Sequence, residues 1–84
     1  PPAETVEPVL IELREDGSFG VVGEDETTFK DAAAVIEAYG ATKPKPIIFL
    51  SNATKNVDRE TLAKAADAMG GKLDVRLDFR EGDG

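Results

Sequence analysis

Apolar and polar residues alternate from Val9 to Glu15, an unbroken apolar run spans Ile47 to Leu50, apolar residues recur at helical spacing from Val57 to Met69, and alternation returns from Leu73 to Arg80. Each rhythm predicts one kind of element. Val9, Ile11 and Leu13 lie on one face of a strand, with Glu12 and Arg14 on the other, and Asp16-Gly17-Ser18 supplies a turn. Phe19 to Val22 then returns as the second strand of a hairpin. Gly23-Glu24-Asp25-Glu26 reads as an acidic loop. Thr28 and Asp31 stand at capping-box spacing ahead of a helix whose Phe29, Ala32, Ala33, Ile36 and Tyr39 share a face, and Gly40 is expected to end it.

The run Ile47-Ile48-Phe49-Leu50, preceded by Pro44 and Pro46, is too short for a helix and predicts a strand buried on both faces. A second helix follows a polar loop. Asp58 is placed to cap its first turn, Val57 and Leu62 occupy the two positions of a hydrophobic staple, and Leu62, Ala65, Ala66 and Met69 form one narrow apolar stripe. Gly70-Gly71 is expected to stop this helix in a left-handed conformation. Beyond it, Leu73, Val75, Leu77 and Phe79 alternate with Asp74, Arg76, Asp78 and Arg80, the period of a strand with one buried face and one wet face.

The order strand, strand, helix, strand, helix, strand predicts an α+β fold. Right-handed crossovers place both helices on one face, giving a two-layer ββαβαβ sandwich with a four-stranded mixed sheet in spatial order 2-1-3-4. The folded domain is read as residues 9–80. Residues 1–8, rich in proline, read as an extended linker, and residues 81–84 as a flexible tail.

Composition narrows the chemistry. A chain of 84 residues makes one small domain, burying about 60–65% of its unfolded surface. With no cysteine and no histidine, disulfides, thiolate and histidine metal sites, and histidine acid–base catalysis are excluded. A net charge of −7, without a basic stripe, argues against nucleic acid or an anionic membrane surface as partner. No apolar segment reaches the roughly 20 residues that span a bilayer. Since the chain opens on Pro1 rather than methionine, a membrane segment upstream is an expectation.

Ser18, in a hairpin turn, and Ser51, after the central strand, have no histidine to activate them. Glu24-Asp25-Glu26 lacks the ligand spacing of a calcium loop, and Asn52-Ala53-Thr54, although a glycosylation triplet, reads as a polar turn. The glycines form no phosphate cradle, and Tyr39 and Phe49 read as core aromatics. No catalytic residue, cofactor site or metal site is assigned, and the chain is read as a non-enzyme.

The segment IIFLSNATKNVDRETLAKAADAMGG, followed by KLDVRLDF, resembles the strand, polar loop, Val-Asp-x-Glu-Thr-Leu-x-Lys helix, glycine turn and final strand of the ExbD/TolR family. LREDGSFGV is similar to that family's first hairpin and ETTFKDAAAVIEAY to its first helix, so the resemblance runs from Pro8 to Phe79. Where the family often has an alanine-aspartate pair after the central strand, this chain has Ser51-Asn52-Ala53-Thr54. The resemblance implies a single-pass inner-membrane protein of biopolymer transport, with this domain in the periplasm and Pro1–Pro8 as its tether. It also implies dimerisation, an ExbB/TolQ-like channel partner reached through the transmembrane helix, a TonB/TolA-like protein or peptidoglycan as periplasmic contact, and coupling of proton flow to force. The family's proton-carrying aspartate belongs to the transmembrane helix, outside this sequence.

Sheet edges are the natural place for such contacts, since their backbone groups are unpaired. The predicted order leaves Phe19–Val22 and Leu73–Phe79 at the edges, which makes Phe19, Val21, Leu73, Val75 and Leu77 the candidate partner-binding residues. A free-standing adaptor that binds an extended peptide at a sheet edge is the alternative reading.

Overall fold

A computed structural model describes residues 7–80. The tail and all of the linker except Glu7 and Pro8 lie outside the described residues. The chain forms β1 (Val9–Leu13), β2 (Phe19–Val21), β3 (Glu24–Phe29), α1 (Ala32–Gly40), β4 (Ile47–Asn52), α2 (Arg59–Gly70) and β5 (Asp74–Leu77). The fold is α+β, as expected, with a mixed sheet and two helices. The sheet has five strands in the order β3-β2-β1-β4-β5 rather than four. The predicted neighbours hold: β1 pairs antiparallel with β2 and parallel with β4, and β4 pairs parallel with β5.

The additional strand is β3, which occupies the place expected of the acidic loop. Gly23, at φ 90°, reverses the chain after Val22, a conformation that a side chain would oppose. Glu24–Phe29 then pairs antiparallel with β2, with an irregularity between Gly20 and Val21. As β3 takes the outer place, β2 moves inside.

The first helix starts later than the capping box implied. Asp31 is its N-cap, and Oδ1 accepts from the Ala34 N–H at 2.9 Å. Starting the helix at Ala32 turns its buried face to Ala32, Val35, Ile36 and Tyr39, whereas Ala33 is exposed. Phe29 belongs to β3 and meets Tyr39 edge-on, with ring centroids 5.9 Å apart. The second helix is as expected at its start: Asp58 accepts from the Thr61 N–H at 2.8 Å, and Val57 and Leu62 are both buried. Leu62 and Met69 are fully buried, and Ala65 and Ala66 pack against the core. Neither helix ends in a left-handed glycine. The C-caps are Ala41 at φ −96° and Gly71 at φ −79°, both right-handed.

The core lies between the helices and one face of the sheet, built from Ile11, Leu13, Phe19, Val21, Ile48 and Leu50 against Val35, Leu62 and Met69. Burial of the central strand is one-sided. Ile48 and Leu50 are fully buried, but Ile47 and Phe49, on the helix-free face, are half-buried.

Candidate interaction surface

Leu73–Phe79 remains an edge and Phe19–Val22 does not. Phe19 and Val21 are buried, and β2 has a ladder partner on both sides, so its backbone cannot receive another strand. The candidate residues therefore separate. Leu73 is also buried and anchors the turn into β5, Val75 is half-buried, and Leu77 is 44% exposed. The structure brings Val75 and Leu77 together on one exposed strand and leaves Phe19 and Val21 one strand in from the β3 edge, covered on both sides.

Extended structure continues past the end of β5. The Asp78 N–H donates to the Leu50 carbonyl at 2.8 Å. Two residues on, the buried side chain of Asn52 takes the place of a neighbouring strand: Nδ2 donates to the Arg80 carbonyl and Oδ1 accepts from the Arg80 N–H, each at 2.8 Å. Asn52 Nδ2 also donates to the Thr54 carbonyl at 3.0 Å. Both amide hydrogens are committed, so the glycosylation triplet is a structural clamp and its nitrogen is closed to modification. Sequence pattern places Asn52 in a polar turn; no local signal ties it to Arg80.

These bonds also orient the backbone of the edge. Asp78 and Arg80 direct their N–H groups toward β4, so the alternation of an extended chain turns those of Val75, Leu77 and Phe79 outward. Side chains alternate in the perpendicular direction. Val75, Leu77 and Phe79 point to the helix layer, where the Arg59 guanidinium lies 4.7 Å from the centroid of the Phe79 ring. Asp74, Arg76, Asp78 and Arg80 share the opposite face, with Arg76 3.2 Å from Asp74 and Arg80 3.5 Å from Asp78. Both pairs are exposed, and pairs of this kind contribute little stability.

A second polar cluster joins the loops at the carboxyl ends of β1 and β4. The Glu15 carboxylate accepts from Thr54 Oγ1 at 2.6 Å and from Asn56 Nδ2 at 3.1 Å, and the Thr54 hydroxyl followed by the Asn56 amide holds its pKa below the usual value. In the hairpin turn, Ser18 Oγ and N–H both donate to Asp16 Oδ1, which lowers the Asp16 pKa. The hydroxyl of Ser51, a buried residue of β4, donates to the Ile11 carbonyl of the neighbouring strand at 3.4 Å. Each serine hydroxyl thus serves the fold. At the other end of the sheet an open cleft of about 330 Å³ is lined by Val9, Leu10, Val21, Val22, Glu24 and Tyr39 among others. Burial, and then the Glu24 carboxylate, raise the Tyr39 pKa.

Among the described residues no group of three or more acidic, histidine or cysteine side chains is placed to hold a metal ion, and no helix is long and apolar enough to cross a membrane. No family model matches this chain, and no curated protein or solved structure matches it either.

Proposed function

We propose that this chain is a non-catalytic coupling domain of the ExbD/TolR type. In this reading it is the periplasmic part of a proton-motive-force-driven complex in the inner membrane. An upstream transmembrane helix joins an ExbB/TolQ-like channel, and the domain dimerises and engages a TonB/TolA-like protein. The observation that carries the reading is the unit from Ile47 to Phe79. The residues that bear the resemblance are those that build it: Val57 and Leu62 seat α2, Asp58 caps it, and β5 is delivered parallel to β4 as an edge strand. A domain that transmits force without chemistry needs a rigid frame and a surface that another chain can grip, and a sheet edge supplies backbone groups for that purpose.

The same edge favours the second reading, an adaptor that captures an extended peptide. One titration tests the function. Adding the periplasmic segment of a TonB/TolA-like protein to the isotope-labelled domain is expected to shift the amide signals of Leu73–Phe79 first. Shifts confined to the helices, or none at all, overturn the coupling assignment, and a response to unrelated extended peptides alone selects the adaptor. The coding sequence upstream of Pro1 is a further check, where about 20 apolar residues with an embedded aspartate are expected.

A further inference from the structure

We infer that the open cleft at the start of β1 seats a lysine or arginine side chain of a partner protein segment, with an apolar neighbour of that residue packed on Leu10 and Val22. The inference goes beyond the β5 edge and does not rest on the coupling reading.

Apolar exposure, charge and size converge at this end of the sheet. Among the described residues the exposed large hydrophobic side chains are Leu10, at 39%, Val22, at 45%, and Leu77. Leu10 and Val22 both line the cleft, and the Val22 N–H donates to the Leu10 carbonyl at 2.8 Å, which sets the two side by side. Ile11 is fully buried in the core, so alternation turns Leu10 to the helix-free face, where its parallel-ladder partner Phe49 is half-buried. The cleft thus opens onto an apolar row.

The charged residues of its wall are Glu7 and Glu24, and no lysine or arginine lines it. Both glutamates are exposed, and neither takes part in an ion pair among the described residues. Glu24 Oε1 accepts from Thr27 Oγ1 at 3.0 Å, which steadies the carboxylate and leaves it acceptor positions for a cation. Its field reaches across the cleft to Tyr39, whose pKa is raised by burial and then by Glu24.

The volume of about 330 Å³ stands at the small end of the roughly 300–1,000 Å³ of ligand sites. An open cleft of this size leaves a free small ligand largely in water, whereas side chains carried by a protein segment arrive with the chain that covers them. A basic side chain fits both walls at once, its aliphatic stem on the apolar surface and its charge at the carboxylates. An acidic segment is repelled, and the net charge of −7 steers a cationic one toward the domain. A purely apolar segment would strip water from Glu7 and Glu24 without replacing it.

Titration of the isotope-labelled domain with the blocked peptide Leu-Lys-Leu-Lys tests this. Saturable shifts are expected at the amides of Val9, Leu10, Val22, Gly23, Glu24 and Tyr39, weakening as salt rises. The charge-reversed peptide Leu-Glu-Leu-Glu is expected to leave them in place. Glu7→Gln/Glu24→Gln preserves side-chain size at two exposed positions, so the fold is retained, and is expected to weaken binding by about ten-fold or more. No response, an equal response to the acidic peptide, or a double variant that binds as well as the parent overturns the inference. Butylamine giving the same shifts at the same concentration assigns the cleft to free amines and overturns the protein segment as occupant. Shifts confined to Leu73–Phe79 also overturn it, and they leave the β5 reading standing.

Discussion

Asn52 and Arg80, 28 residues apart, form a reciprocal pair in which one side-chain amide reads both backbone groups of the other residue at 2.8 Å. The pair acts as one more rung of the parallel ladder after β5 has ended, and it keeps the final segment extended. Asn52→Ala removes both partners of Arg80 and is expected to cost about 1–3 kcal/mol, the sum of two net hydrogen bonds at about 0.5–1.5 kcal/mol each. Urea unfolding measures the change, and faster hydrogen exchange at Arg80 locates it. An unchanged exchange rate would show that the clamp does not hold the segment.

Leu62 is fully buried beneath the sheet, and Val57 is buried beside the entry to the same helix. Leu62→Ala is expected to destabilise the domain by about 2–5 kcal/mol. Leu62→Asp adds the burial of a carboxylate and is expected to leave the domain unfolded or nearly so, since small domains hold only about 5–15 kcal/mol in all. Circular dichroism melts check both. Asp58→Ala, which removes a surface cap, is expected to lower the melting temperature by much less than either.

Acid is expected to weaken the fold in a defined window. Hydrogen bonds from Thr54 to Glu15, from Ser18 to Asp16 and from Thr61 to Asp58 lower these carboxyl pKa values from 4.5, 3.8 and 3.8. A lowered folded-state pKa contributes stability that is present above the unfolded value and lost as pH falls through the folded one. Stability should thus fall below about pH 4.5. No histidine exists to give a step between about pH 6 and 8. For Tyr39 the sign is reversed: its pKa is raised from 10.0, so its contribution is present below pH 10.0 and lost as pH rises through the folded value. Chemical denaturation across pH tests all three limbs.

Two glycines of the β2–β3 hairpin should respond differently to alanine. At Gly20 a Cβ would collide with the Arg14 guanidinium, the flexible end of a side chain whose Nη1 donates to Thr28 Oγ1 at 3.1 Å. Gly20→Ala is expected to displace Arg14 and change stability by no more than about 0.5 kcal/mol. At Gly23 there is open space, but φ is 90°, so Gly23→Ala is expected to cost about 1 kcal/mol or more. Equal urea midpoints for the two variants would contradict this account of the turn.

Local pattern alone determined β1, β4, α2 and β5, because each is specified within a few residues of itself. Val57, Asp58, Leu62, Ala65, Ala66 and Met69 lie on or at the start of one helix and supply its entry, cap and stripe, and the alternation from Leu73 to Arg80 marked the edge that survives. The outer strand was not legible in this way. Glu24–Phe29 has no apolar alternation, and only Thr27, Thr28 and Phe29 hinted at a strand. What makes it one is the backbone of β2, since ladder hydrogen bonds are indifferent to side chains and depend on which chain segment lies alongside. That pairing moved Phe19 and Val21 from an expected edge to the interior and delayed α1 until Asp31. The Asn52–Arg80 clamp has the same origin. An asparagine after a strand is locally a turn residue, and only the parallel packing of β5 against β4 places a backbone where its amide can pair.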